Sequence, residues 1–200
     1  QIRFHDYASL YRIPGLYERL FYDILQCDSP RTVRRLLENC LDAEKTPPSD
    51  LRVLDLGAGN GMVGEQLAAL GVSSIVGVDI IAEAAEAATR DRPGMYEDYL
   101  VADMTSLTTD EQSRLVQFEF NCLTCVAALG FNDIPPEAFI EAYNLVAENG
   151  WIGFTDHYWM STLIPPSGQA FSAVAKYNPV SDTFQTDARL PVVSVAPGAT

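Results

Sequence analysis

The chain has 200 residues, 48% of them apolar, a mean hydropathy near zero and a formal charge of −14. Such a length suits one domain burying roughly 70% of its unfolded surface, and no apolar run approaches the roughly 18 residues that would indicate a membrane span. The acidic field repels phosphate backbones, so nucleic acid is not an expected partner.

The opening QIRFHDYASL lacks the basic and apolar regions of a secretory leader, and its first residue is Gln, as in a trimmed sequence. Four cysteines without a leader read as free thiols in a cytoplasmic protein with no membrane association.

Helical periodicity runs through Leu10, Tyr11, Leu16, Leu20, Phe21 and Ile24, then Val33, Leu36, Leu37 and Leu41. Pro14-Gly15 is expected to break the first helix and Ser29-Pro30 to open a later one. The basic stretch from Arg31 to Arg35 lies between core-facing Val33, Leu36 and Leu37, and reads as a solvated helix face. TPPSD at 46–50 is a turn, so 1–46 forms a helical lid ahead of the main domain.

From Leu51 short β-rich runs alternate with helical ones: RVLDLGAGNG, GMVGEQLAAL, SSIVGVDI and AEAAEAATR. A third strand is expected at 99–102, YLVA, and a fourth from about Phe118 to Leu123. A helix from Pro136 to Glu148 opens with prolines and closes at Asn149-Gly150, and WIGFTDH is the fifth strand. This alternation predicts a Rossmann-like, doubly wound α/β domain with a mostly parallel sheet and N-terminal helices.

Cys122 and Cys125 fall inside the apolar run FEFNCLTCVAAL, a buried strand and its exit, where residues three apart face opposite sides, so a shared metal or redox role is not expected. Beyond Trp159 the expected elements are a helix over 167–177 and strands at TFQTDARL and LPVVSVA. The whole chain reads as a single domain, with the binding core at 51–157 and a less regular segment at 158–200.

In V-L-D-L-G-A-G-N-G, Asp55 ends a buried strand, and Gly57, Gly59 and Gly61 make the turn into the next helix. Glycine allows positive φ there and lets a ligand approach the backbone. The helix amides that follow suit an anion such as a carboxylate. Asp79 ends the second strand, where a carboxylate can accept hydrogen bonds from both hydroxyls of a ribose. Asp103 ends the third strand.

Three acids closing three successive strands point to an adenosine-type site at the carboxyl edge of the sheet. Met62 stands where the dinucleotide fingerprint G-x-G-x-x-G needs its last glycine. No G-x-x-x-x-G-K-[ST] is present either, so the turn suits an amino acid rather than a diphosphate.

On these residues the chain closely resembles the class I S-adenosylmethionine-dependent methyltransferases over about Leu51 to Thr155. The resemblance implies that S-adenosylmethionine is bound and leaves as S-adenosylhomocysteine. It implies that Gly57, Ala58, Gly59, Asn60 and Gly61 wrap the methionine portion, with Asp55 near its amino group. Asp79 would hold the ribose, Ile80 would flank the adenine, and Asp103 with the Met104 amide would meet the ring. Leu123, Thr124 and Cys125, at the exit of the fourth strand, would lie near the methyl group.

More loosely, LTCVAALGFNDIPPEAFIEAYNLVAENGWIGFT looks like small cytosolic methyltransferase-like proteins. The acceptor is expected to be a small molecule or a protein, and the two histidines leave no triad for a metal. His157, beside Asp156, is the candidate general base. Tyr7, Tyr11 and Tyr17 are candidates to reach the ligand from the lid.

The competing readings are a non-catalytic S-adenosylmethionine-binding module and another adenosine-cofactor enzyme, such as an aminopropyl transferase. Family members usually finish with an antiparallel strand pair. Here the residues after Trp159 include five prolines, and the last two candidate strands nearly abut at Leu190-Pro191.

Overall fold

The computed structural model describes residues 3, 5–129, 133–155, 160–161, 172–178 and 183–189. They fall into two compact units, 1–162 and 163–200, where a single domain over 1–200 was expected.

Helix α1 (Tyr7–Tyr11) starts where the Asp6 carboxylate accepts from the Ser9 amide at 3.2 Å. It ends ahead of Pro14-Gly15, where Gly15 takes a φ of +71°. Helix α2 (Leu16–Glu18) runs directly into a π-helical turn over Arg19–Ile24. Helix α3 (Ser29–Glu44) carries Pro30 in its first turn, buries Val33 and Leu41, and leaves Arg31 and Arg35 exposed. That is the solvated basic face expected of it.

The main unit then alternates. Strand β1 (Arg52–Leu56) leads to α4 (Met62–Leu70), β2 (Ser74–Asp79) to α5 (Ala82–Asp91), and β3 (Asp98–Val101) to α6 (Thr109–Val116). Strand β4 (Cys122–Val126), α7 (Pro136–Asn144) and β5 (Trp151–Thr155) follow, and Met160–Ser161 adds a two-residue β6. The sheet order is β3-β2-β1-β4-β5-β6, with the first five strands parallel and β6 antiparallel to β5. The Rossmann-like doubly wound architecture is present.

Alternation along the strands feeds two cores, one on each face. Leu54, Val76, Leu100, Leu123 and Cys125 pack with Leu115 of α6 and with Ala138 and Ala142 of α7. Val53, Ile75 and Cys122 pack on the other face with Val33 and Leu41 of α3 and with Val63 and Leu67 of α4. Each such aliphatic side chain contributes about 1.5–3 kcal/mol by leaving water. Cys122 and Cys125 are free and belong to opposite cores, as their spacing required.

Several boundaries differ from the sequence reading. Strand β4 begins at Cys122, because Glu119 takes a φ of +49° and turns the chain after Phe118. Phe120 buries itself there, stacked on Phe118 at 5.6 Å. Helix α6 was not foreseen, and its start is a capping box: Thr108 Oγ1 accepts from the Glu111 amide at 3.3 Å, and the Glu111 carboxylate accepts from the Thr108 amide at 2.8 Å. Helix α7 stops at Asn144 rather than at Glu148, and the Ala147 amide donates to the Phe120 carbonyl at 2.8 Å.

In the second unit, β7 (Ser172–Asn178) replaces the expected helix over 167–177. It pairs antiparallel with β8 (Thr183–Arg189), which is the strand expected at TFQTDARL. Seven cross-strand pairs override the helical propensity of SAVAKY. The LPVVSVA strand lies outside the described residues.

Candidate functional site

Sheet order reverses at β1, whose neighbours are β2 and β4, and open α/β sheets bind ligands outside the carboxyl ends of the strands at such a point. A cavity of about 280 Å³ lies at that edge. Its floor comes from the carboxyl ends of the strands and the residues just past them: Leu56 and Gly57 at β1, Val78 to Ile81 at β2, Ala102 to Met104 past β3, and Val126 to Ala128 at β4. Asp133 to Pro135, with Ala138 of α7, form one wall, and Tyr7, Tyr11 and Tyr17 form the roof.

The turn after β1 requires glycine for two separate reasons. Gly57, Gly59 and Gly61 take φ values of +69°, +54° and +90°, a region that L side chains rarely adopt. Space is also missing. A Cβ on Gly57 would stand 2.9 Å from the Ala128 Cβ, and one on Gly59 would stand 2.6 Å from the Tyr11 hydroxyl.

The turn is laced to its surroundings. Gly57 and Ala58 donate their amides to the Val78 carbonyl at 2.8 and 3.1 Å, and Gly59 donates to Asp79 Oδ2 at 2.9 Å. The Tyr99 hydroxyl donates to the Gly59 carbonyl at 2.7 Å.

Asp79 serves the turn and the cavity together. Its Oδ1 accepts from the Ile81 amide at 2.9 Å, and burial pushes its carboxyl above the usual range. Asp103 behaves oppositely. Its Oδ1 accepts from the Thr105 amide at 2.9 Å and from the Thr105 hydroxyl at 2.7 Å, and these bonds hold its carboxyl below the usual range.

Asp55 departs from its expected place at the ligand. It is 1% exposed and lies apart from the cavity lining. Thr124 donates to its Oδ1 and Tyr96 to its Oδ2, both at 2.8 Å. Burial pushes its carboxyl up to about 7, against those two hydrogen bonds and with help from the nearby Asp79 charge.

A carboxyl that binds its proton more tightly folded than unfolded stabilises most below its unfolded pKa, and the benefit is lost as pH rises through the folded value. Between pH 5 and pH 8 the protein should therefore lose on the order of 3 kcal/mol of stability that the Asp55→Asn variant keeps. Urea unfolding of both proteins at the two pH values checks this, and parallel pH dependences would remove Asp55 as the cause.

Of the residues singled out from sequence, the fold brings Gly57, Asp79, Ile80, Asp103, Met104, Tyr7, Tyr11 and Tyr17 to one cavity. Ala58, Gly59, Asn60 and Gly61 shape the turn but do not line that space. Ala58 is buried at 4% exposure. Asn60 is directed to Glu18, donating its side-chain amide at 2.7 Å.

Thr124, expected near the methyl group, is committed to Asp55. Because β4 runs through Val126, the strand exit at the cavity is Val126 to Ala128 rather than Leu123 to Cys125. His157 lies outside the described residues.

Sequence reasoning missed Arg92, Tyr96 and Tyr99, which support the turn from below. Glycine at 64 and 77 was the available signal, since a Cβ at either position would stand 2.8 Å from the ring of Tyr96 or Tyr99 respectively.

Two family models match the chain. The model described as a methyltransferase domain matches residues 53–150, and the one described as the YidC periplasmic domain matches residues 104–200. The membrane protein insertase YidC of Paracoccus denitrificans is 69% identical over 55 residues, which is 28% of this chain and 9% of that protein. YidC of Jannaschia is 48% identical over 81 residues, 38% of this chain and 13% of the insertase. The chain thus spans about a tenth of the length of these relatives.

Among solved structures, the plantazolicin methyltransferase BpumL, in complex with a pentazolic desmethylPZN analog and SAH, superposes with a TM-score of 0.52 at 15% identity. That match covers 75% of this chain and 56% of that one. An S-adenosylmethionine-dependent methyltransferase from Clostridium acetobutylicum gives a TM-score of 0.50 at 18% identity, over 69% of this chain and 55% of its own. These likenesses concern the fold.

The hairpin of β7 and β8 lies wholly within the YidC-matched range and wholly outside the methyltransferase one. The periplasmic match also runs against the cytoplasmic expectation. Among the described residues, no helix is long and apolar enough to cross a membrane.

Proposed function

We propose that the chain, whose residues 53–150 match a family model described as a methyltransferase domain, binds S-adenosylmethionine at the β1 switch point and directs its methyl group to a small-molecule or protein acceptor. The observation that carries this reading is the arrival of Gly57, Asp79 and Asp103, from three successive strand exits, at one cavity of about 280 Å³.

The cavity residues suit such a ligand. Asp79 faces it with a half-buried carboxylate whose two oxygens each accept one backbone hydrogen bond, leaving acceptor capacity for a pair of ribose hydroxyls. Ile80, Ala102 and Met104 give an apolar slot for a purine, with Asp103 at its rim to accept from an exocyclic amine. Gly57 leaves bare backbone where a Cβ would fill the space. Asp55 acts from beneath by holding the turn, through Thr124 and Tyr96.

When bound, S-adenosylmethionine supplies a methyl carbon already activated by a positively charged sulfur. The chain's own work is then alignment, and holding two reactants in line is worth about 7–11 kcal/mol. The strand-four exit at Ala127 and Ala128, the Asp133 to Pro135 wall and the tyrosine roof border the space left for an acceptor.

Calorimetric titration tests the reading. S-adenosylhomocysteine is expected to bind with a Kd on the order of 1 µM, and NAD not to bind. Asp79→Ala should weaken S-adenosylhomocysteine by roughly 100-fold, because it removes a charged acceptor from two hydroxyls and loosens the Gly59 amide. Equal affinity for NAD, or an unchanged Kd in a folded Asp79→Ala, would reject the assignment. The two-residue β6 favours a second reading, a binding module without turnover. Transfer of labelled methyl to a metabolite or peptide panel separates the two.

A further inference from the structure

The Glu18 carboxylate joins two parts of the molecule that the sequence keeps far apart. Its Oε1 accepts from the Asn60 side-chain amide at 2.7 Å, inside the glycine turn, and from Arg92 Nη1 at 2.9 Å, at the end of α5. The same Arg92 Nη1 donates to the Asn60 carbonyl at 3.0 Å, and its Nη2 donates to the Met62 sulfur just past the turn.

The arrangement is incompletely satisfied. Glu18 Oε2 and Arg92 Nε are buried without a hydrogen-bond partner among the described residues, and Arg92 Nε stands 3.5 Å from Glu65 Oε2. Such buried orphans weaken the assembled arrangement relative to one in which both groups find partners.

Glu18 closes α2, and the segment around it carries the tyrosine roof. Tyr11 and Tyr17 meet at 5.0 Å between ring centres with their planes tilted by 36°, Tyr17 meets Phe21 at 4.6 Å, and the Tyr11 hydroxyl rests against Gly59. Two other ties, Arg12 to Glu83 and Arg90 to the Tyr11 carbonyl, reach only to α5 and its end. The Glu18 tie alone of these three reaches the turn itself.

We propose that Glu18 and Arg92 are positioning residues that clasp the tyrosine roof to the glycine turn, so that the roof opens for ligand exchange by releasing this clasp. The proposal rests on the cofactor reading above only for the identity of the ligand. The clasp is made of this chain's own residues, so its opening is measurable without any cofactor.

The test is limited trypsin digestion of the full ligand-free chain, scored at Arg12 and Arg19 in the roof segment and at Arg52 in β1. Glu18→Ala should raise cleavage at Arg12 and Arg19 by roughly 10- to 100-fold, the loss expected for hydrogen bonds to a charged group, with Arg52 unchanged. Glu18→Gln keeps a carbonyl oxygen for Asn60 and Arg92 and should restore most of the protection. Arg92→Lys should not, because an ammonium lacks the fork that reaches Glu18, Asn60 and Met62 together.

The S-adenosylhomocysteine dissociation rate, measured by competition, should rise in the same order across these variants. Equal cleavage in wild type and Glu18→Ala, or cleavage rising equally at Arg52, overturns the clasp. Selective cleavage in a protein that does not bind S-adenosylhomocysteine would keep the clasp and overturn the cofactor reading.

Discussion

Replacement of Gly59 by valine should abolish S-adenosylhomocysteine binding, raising Kd by more than about 100-fold while leaving the sheet folded. Two independent costs meet at this position. The residue sits at φ +54°, and a β-branched side chain in that region is a conformational outlier. Its Cβ would also stand 2.6 Å from the Tyr11 hydroxyl, so the roof must lift or the turn must shift.

A shift would break the Gly59 bonds to Asp79 and Tyr99, which hold the cavity-lining carboxylate and the turn in one register. Gly59→Ala separates the costs, since it keeps the clash at Cβ with a smaller backbone penalty of roughly 1–2 kcal/mol. Calorimetry on both variants reads the outcome, with circular dichroism as the check on folding. Wild-type affinity in Gly59→Val would mean that the turn does not meet the ligand.

Arg92→Met should lower unfolding stability by about 3 kcal/mol, the cost of stripping one partner from a buried ion pair. The Arg92 side chain is 9% exposed and that of Glu18 is 25% exposed, so solvent cannot fully replace the lost guanidinium. Methionine occupies much of the arginine stem but carries no donor, so Glu18 would keep only the Asn60 amide. The Glu18→Met, Arg92→Met double variant should recover a large part of the loss, because no charge is then left buried and unpaired. Urea unfolding of the three variants decides this. A double variant no more stable than Arg92→Met would mean that the arginine acts through packing rather than through its charge.

The architecture was legible because local signals agreed with one another. Alternating β-rich and helical runs, glycines after Asp55, and acids at 79 and 103 all place a binding edge at the strand exits. Asp79 reaches the cavity as the last residue of β2, and Asp103 reaches it two residues past the end of β3, because parallel strands all deliver their exits to that rim.

Asp55 lies one residue before the end of β1, and its fate is decided by Tyr96 and Thr124, forty-one and sixty-nine residues away. No local pattern announces such partners. Strand β4 was misplaced for a related reason: the aromatic run from Phe118 reads as β, but a left-handed turn at Glu119 diverts it into a buried stack. Residues 172–178 read as a helix from local composition and form a strand because 183–189 lie opposite them.

The described part of the tail lacks the antiparallel pair on the main sheet that the resemblance led one to expect. A two-residue β6 closes the sheet, and the next strands pair with each other as a separate hairpin. The two family matches overlap over 104–150, and only the YidC one reaches the hairpin. Two-stranded hairpins are marginal on their own in water. All the described residues that line the cavity belong to the first unit.

The most direct measurement of the central claim is a crystal of the full chain soaked with S-adenosylhomocysteine. Density is expected with the ribose on Asp79, the purine between Ile80 and Met104 with Asp103 at its amine, and the amino-acid end crossing Gly57. A cavity left empty at saturating ligand, or the ligand seated elsewhere with Asp79 still bound only to its own loop, would contradict the account.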